Sequence, residues 1–159
     1  MATLGEYISG KFQIELPSSM DCLRQMAHGL KYIHSKQLVH RDVKPDNVLI
    51  STDPQLCLKI SDFGLSKSIS ASGSFSMSGM KGSLYFMAPE ILNFRDHENR
   101  RPRATSASDV FSLGCVFYVF LTEGTHPFGE GLSIPVNIKA KASNLSSKLL
   151  VTSNENTAS

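Results

Sequence analysis

Hydrophobic positions with helical spacing follow Pro17. Apolar residues recur at i, i+3, i+4, i+7 and i+10, namely Leu23, Met26, Ala27, Leu30 and Ile33. This spacing predicts an amphipathic helix, which Ser18 or Ser19 can cap. Before Pro17, residues 4–12 predict a short helix or turn. Residues 109–122 are apolar nearly all round, which predicts a deeply buried helix that ends at the turn sequence GTHPFG.

Two short apolar stretches flank the turn signal Asp53-Pro54. Residues 48–50 and 56–60 predict two strands, which makes a small hairpin. The intervening polar stretches predict a mobile serine- and glycine-rich loop over residues 66–83 and a solvated charged loop over residues 93–109. From about residue 143 the chain is rich in serine, asparagine and threonine, which predicts a frayed tail.

Composition narrows the class of protein. The 159 residues carry 16 Lys and Arg against 14 Asp and Glu, a net charge of +2, so no strong field favours nucleic acid or an anionic membrane. The length suggests about one domain, and the 41% hydrophobic content is typical of a globular chain. No apolar run is long enough to span a bilayer. The first residues lack the pattern of a secretory leader, so we expect none. Cys22, Cys57 and Cys115 are scattered, which favours reduced core thiols over a zinc site.

Three short motifs occur in one order along the chain. They are HRDVKPDN at residues 40–47, DFG at residues 62–64 and APE at residues 88–90. The set resembles the protein kinase catalytic core, and the resemblance extends from about residue 4 to about residue 130. It implies an α+β, mainly α fold: a protein-kinase-like C-terminal lobe with a small β-hairpin that carries the site.

The resemblance implies roles for five residues in binding ATP and in catalysis. Asp42 accepts the proton of the attacking hydroxyl, and Lys44 places a charge on the transferred phosphate, as in serine/threonine-specific kinases. Asn47 and Asp62 supply oxygen ligands for Mg²⁺. Leu49, between Val48 and Ile50, is the best candidate for contact with the adenine ring.

Structural or regulatory roles follow by the same resemblance for His40, Arg41, Phe63, Gly64, Ser83, Glu90 and Asp109. His40 packs beneath Phe63 and is not a base. Arg41 clamps a phosphate on the serine-rich loop or forms a surface ion pair. Ser83 bonds the catalytic loop. Asp109 caps its helix, holds the backbone of the catalytic loop, or does both.

The stretch SDVFSLGCVFYVFLTEGTHPFG at residues 108–129 narrows the resemblance. Together with VHRDVKPDNVLIS and ISDFGLSK, it is similar to the inositol-requiring kinase/endoribonucleases that sense unfolded proteins in the endoplasmic reticulum. The 2-5A-dependent ribonuclease is a second relative. The resemblance implies ATP and Mg²⁺, a protein substrate or autophosphorylation, a homodimer, and a place on the cytosolic face of the reticulum membrane in a full-length protein. No nucleic acid is expected to bind this segment.

The 159 residues contain no GxGxxG loop and no lysine in a VAIK context. We therefore expect the N-terminal lobe to be absent, with a partial protein kinase domain over residues 1–142 and a disordered tail over residues 143–159. Two hypotheses stay open: a serine/threonine protein kinase, or a catalytically incompetent kinase fragment or pseudokinase-like regulatory or remnant chain. By themselves, the 159 residues are expected to bind ATP weakly at best and to show no measurable kinase activity.

Overall fold

The structure of the chain is a computed structural model that describes residues 1–62, 67–68, 83–94 and 104–143. Within these residues the strands are β1 (Ala2–Thr3), β2 (Leu38–Val39), β3 (Val48–Ser51), β4 (Cys57–Ile60) and β5 (Lys67–Ser68). The α-helices are α1 (Leu4–Ile8), α2 (Ser19–Ser35), α3 (Pro89–Phe94), α4 (Ser106–Leu121) and α5 (Ser133–Ala140). Among the described residues, 3₁₀ turns lie at Pro45–Asn47 and Ser83–Phe86. The fold is thus mainly helical with little sheet, as predicted.

The predicted hairpin is confirmed as the antiparallel pair β3 and β4, in which Val48 lies opposite Ile60. Its second strand begins at Cys57, one residue later than predicted. Strand β1 was not predicted; it pairs with the other edge of β3 to give the order β1-β3-β4. A second small sheet pairs β2 with β5, so residues 67–68 belong to a strand and not to the loop predicted there.

Helix α2 begins where its sequence predicts, since Ser18 Oγ accepts the N–H of Asp21 at 3.1 Å. Helix α4 begins three residues before the predicted start, and its cap is Thr105. Thr105 and Ser108 bond each other's backbone N–H, and this capping box starts the helix ahead of its apolar stretch. Asp109 therefore lies inside the first turn, and the expectation that it caps the helix is wrong.

Two apolar clusters form the core of the described residues. The larger one joins α2, α4 and the hairpin, with Met26, Val48 and Val116 at its centre. The smaller one joins α3 and α5 to residues 84–88. Helix α5, which the sequence pattern did not reveal, closes the smaller cluster with Ile134 and Ile138, four residues apart on one face.

Several predictions fall on residues outside the described ones. They concern most of the serine-rich loop, the charged stretch at residues 95–103, the tail from residue 144, and the residues Phe63 and Gly64. In the described ranges, no helix combines the length and the apolar content needed to cross a membrane.

Candidate active site

The loop at residues 40–47 is anchored on one buried carboxylate. Asp109, 1% exposed on α4, accepts the backbone N–H groups of His40 at Oδ2 and of Arg41 at Oδ1, both at 2.8 Å. His34 Nε2, at the end of α2, lies 2.9 Å from Oδ2 of the same carboxylate. Three donors from two segments thus converge on Asp109, and they satisfy a charge that would otherwise be costly to bury.

His40 is fully buried and links the loop to the end of β4. Its Nδ1 lies 3.3 Å from the backbone nitrogen of Asp42, which can only donate. Nδ1 therefore accepts, the ring proton lies on Nε2, and Nε2 donates to the carbonyl of Ser61 at 2.9 Å. With both ring nitrogens engaged in the core, His40 is placed to support the loop and not to act as a base.

One carboxylate oxygen of Asp42 accepts hydrogen bonds from two side chains. Lys44 Nζ lies 2.8 Å from Oδ2, and Asn47 Nδ2 donates to the same Oδ2 at 3.0 Å. Asn47 Nδ2 also donates to the backbone carbonyl of Asp42 at 2.7 Å. The Asp42 side chain is 11% exposed and that of Lys44 is 18% exposed, so the ion pair is mostly buried but keeps some contact with solvent. A carboxylate with a cation and an amide on one oxygen is fixed in orientation.

Asn47 and Asp62 lie at the open end of the hairpin. Asn47 O accepts the backbone N–H of Ser61 at 2.8 Å and its hydroxyl at 3.2 Å, which extends the β3–β4 ladder by one pair. Asp62 follows directly; it is exposed and has a left-handed φ of 62°. The pairing therefore brings these two oxygen-bearing side chains to the same end of the hairpin.

The oxygen chemistry of this pair fits Mg²⁺. The amide nitrogen of Asn47 faces Asp42, so its amide oxygen is directed away from that carboxylate. Mg²⁺ prefers one or two protein oxygens and completes its shell with water and phosphate. Within the described ranges, no group of three or more His, Cys, Asp or Glu side chains can hold a metal ion by itself.

Leu49 differs from its neighbours on β3. Val48 and Ile50 are buried, at 0% and 2% exposed, and Val48 lies in the larger core cluster. Since side chains alternate along a strand, Leu49 lies on the opposite face and is half-buried. Leu49 alone of the three is thus available to a ligand.

The remaining sequence-predicted residues are not all brought to the site. Arg41 and Asp42 line one wall of a cavity whose other wall includes Phe86 and Met87, and Arg41 Nε is buried there without a hydrogen-bond partner among the described residues. Glu90 is exposed on α3. The side chain of Ser83 lies outside the described part of the structure.

Sequence reasoning missed two residues of the site. His34 contacts Asp109 across 75 positions of chain, and Ser61 joins His40 to Asn47. The DFG motif itself marks Ser61 as the residue before Asp62. No spacing in the sequence indicates the partner of His34.

The sequence is similar to known proteins. The family described as "Protein kinase domain" matches residues 1–157. The serine/threonine-protein kinase/endoribonuclease IRE2 of Homo sapiens is 45% identical over 121 residues, which is 73% of this chain and 13% of that protein. The "sensor for unfolded proteins in the ER ire1" of Schizosaccharomyces pombe is 38% identical over 141 residues, covering 73% of this chain and 13% of that protein.

A further similarity is to the serine/threonine-protein kinase RAD53 of Saccharomyces cerevisiae. It is 37% identical over 131 residues, which is 79% of this chain and 16% of that protein. The chain therefore spans less than a fifth of the length of these relatives.

Proposed function

Because this chain belongs to the protein kinase family, we propose that residues 40–62 form the phosphoryl-transfer site of an ATP-dependent serine/threonine kinase. The observation that carries the proposal is the position of Lys44 and Asn47, both within 3.0 Å of Asp42 Oδ2. This places a proton acceptor, a cation and an amide within one shielded cluster. Phosphoryl transfer needs such positioning and charge more than it needs covalent chemistry.

Each side chain has a distinct part in the proposed reaction. The hydroxyl oxygen of a serine or threonine forms a bond to the γ-phosphorus of ATP while the bond from that phosphorus to the ADP oxygen breaks. Asp42 takes the hydroxyl proton, and its contacts to Lys44 and Asn47 hold it in orientation. Lys44 is near enough to stabilise charge on the transferred group. Asn47 and Asp62 would hold Mg²⁺, which neutralises phosphate charge when bound.

We further propose that the chain is part of a sensor kinase of the unfolded-protein response. The human and Schizosaccharomyces relatives carry the words kinase/endoribonuclease and sensor for unfolded proteins in their names. By that similarity the kinase phosphorylates itself or a protein substrate, forms a homodimer, and works at the cytosolic face of the endoplasmic reticulum. Its place in such a sensor is the transfer of phosphate.

Calorimetry with Mg²⁺–ATP and a radiolabel-transfer assay test the proposal on the 159-residue chain. Mg²⁺-dependent binding that Asp62→Ala removes would support the nucleotide site, and transfer that Asp42→Asn removes would support the kinase activity. Binding without transfer would favour the catalytically incompetent alternative for this polypeptide. Absent binding would also favour that alternative, whereas binding that is unchanged in Asp62→Ala contradicts the assignment of the nucleotide site.

A further inference from the structure

The outer edge of β4 is held by a side chain of α2. Strand β4 pairs with β3 on one side, and its other edge faces α2. There, the backbone N–H of Leu58 donates to Oε1 of Gln25 at 2.7 Å. Leu58 is 4% exposed, so its N–H is satisfied by this side chain in a place with little access to water.

Helix α2 also approaches β4 closely one helical turn further on, at a glycine. Gly29 lies one helical turn after Gln25, and a Cβ atom at Gly29 would lie 3.5 Å from Cγ1 of Ile60. Four residues of helix rise about 6 Å, and two residues of strand rise about 7 Å. The pair Gln25 and Gly29 therefore matches the pair Leu58 and Ile60 in spacing, which keeps helix and strand in one register.

The same strand continues directly into the candidate site. One residue after Ile60, the N–H of Ser61 donates to Asn47 O at 2.8 Å, and Asp62 follows. Any shift of β4 along α2 would displace Asp62 relative to Asn47. We propose that Gln25 is a positioning residue, which fixes β4 so that Asn47 and Asp62 lie together at the end of the hairpin. The role toward Mg²⁺ rests on the proposed function; the role toward the hairpin does not.

Amide hydrogen exchange by NMR on the whole chain, without ligand, tests the positioning. Gln25→Glu keeps an acceptor oxygen at the same distance, and Gln25→Met keeps the length but removes the acceptor. We expect the methionine variant to speed exchange of both Leu58 and Ser61 by about tenfold, the effect of losing one hydrogen bond. The glutamate variant should stay near wild type, and Val116 in α4 should exchange equally in all three proteins.

Two outcomes of the exchange measurement overturn the proposal. If Leu58 exchanges faster in Gln25→Met while Ser61 keeps its wild-type rate, Gln25 satisfies the N–H of Leu58 without positioning the site. Unchanged exchange at both amides excludes the bond itself. If the methionine variant is unfolded, Gln25→Asn, which withdraws the acceptor by one methylene, gives the same comparison.

A metal titration then separates this role from a general loss of stability. In Gln25→Met, the Mg²⁺ concentration needed for half-maximal ATP binding should rise several-fold, while ATP binding without Mg²⁺ stays unchanged; Gln25→Glu should restore the wild-type value. An equal loss of binding with and without Mg²⁺ contradicts a role at Asn47 and Asp62. If the wild-type chain binds no ATP, the catalytically incompetent alternative is favoured, and exchange at Ser61 still decides the role of Gln25.

Discussion

Arg41 has a left-handed backbone conformation, with a φ of 75°, and its N–H donates to Asp109 Oδ1 at 2.8 Å. For a residue other than glycine this conformation costs roughly 1–2 kcal/mol. A hydrogen bond to a buried carboxylate is among the stronger ones in proteins and offsets that cost. The strained turn and the carboxylate that stabilises it lie 68 residues apart in the chain.

Asp109→Asn is expected to lower the free energy of unfolding by roughly 2–4 kcal/mol. An asparagine offers one acceptor oxygen, whereas His34, His40 and Arg41 direct three donors at this position. Urea unfolding followed by circular dichroism measures the loss. Asp53→Asn, at an exposed position, is the matched control and should change stability by less than about 0.5 kcal/mol. A similar small change in Asp109→Asn would contradict the anchoring role.

Asp42→Asn should abolish phosphoryl transfer in a kinase-active form of this protein while leaving ATP affinity largely intact. The proton acceptor acts in the transition state, so its loss should lower kcat by about 10²–10⁴-fold. Radiolabel transfer from ATP measures the rate, and calorimetry measures the affinity. Transfer at a rate near wild type would exclude Asp42 as the acceptor of the hydroxyl proton.

Asp62→Ala should act through the metal. Removing this carboxylate leaves Asn47 and water to hold Mg²⁺, so both the Mg²⁺-dependent affinity for ATP and the rate should fall. A nucleotide titration at several Mg²⁺ concentrations measures the effect. Asp53→Ala, which removes an exposed carboxylate from the hairpin turn, provides the control. An unchanged Mg²⁺ dependence in Asp62→Ala would count against a ligand role.

His126 should make the fold sensitive to acid. It is 7% exposed between the rings of Phe86 and Phe128, and burial lowers its pKa from 6.5 to about 4, with the nearby backbone of Tyr85 opposing only part of that shift. The unfolded chain takes up the proton at higher pH than the folded chain does. Stability from this group is therefore fully present above pH 6.5 and is lost as the pH falls toward 4.

The depressed pKa of His126 corresponds to a loss of about 3 kcal/mol in the free energy of unfolding as the pH falls. His126→Asn keeps an acceptor for the N–H of Phe128, which bonds His126 Nδ1 at 3.2 Å, and cannot titrate in this range. Between pH 7 and pH 4, the free energy of unfolding should decrease by about 3 kcal/mol more in the wild type than in the variant. Parallel pH curves for the two proteins would exclude His126 as the source.

Gly29→Ala is expected to stabilise the chain by about 0.5–1 kcal/mol. Alanine is favoured over glycine inside a helix by that amount. The new Cβ would lie 3.5 Å from Ile60 Cγ1, an ordinary van der Waals contact. Thermal unfolding of the variant measures the gain. A loss of stability would show that α2 and β4 are packed more tightly than this distance indicates.

Much of the local structure follows from the sequence by itself. The apolar spacing of Met26, Leu30 and Ile33 and the cap at Ser18 determined α2, and the alternation around Asp53-Pro54 determined the hairpin. The three kinase motifs likewise identified the family, because they are contiguous stretches of chain. In these cases the determining interactions join residues that are close neighbours in sequence, so the pattern records them directly.

Elements that depend on distant partners could not be predicted in this way. Strand β1 has only two residues and forms because it pairs with the free edge of β3. Strand β5 forms in the same way by pairing with β2. Helix α5 has only a modest apolar face, which becomes significant where α3 and residues 84–88 cover it. Short elements bury too little surface to form without such partners.

The candidate site likewise has features that the sequence determined and features that depend on tertiary structure. The sequence determined which residue types are present, namely the carboxylates of Asp42 and Asp62 and the amide of Asn47. Only the tertiary structure decided that Asp109 on α4 accepts donors from His34 and from the loop, and that Gln25 on α2 holds the strand leading to Asp62. These bonds join residues 33 to 75 positions apart, and they form because buried polar groups need partners wherever packing brings them together. Such a partner cannot be predicted from the spacing of residues in the chain, because it is determined by how whole helices and strands pack together.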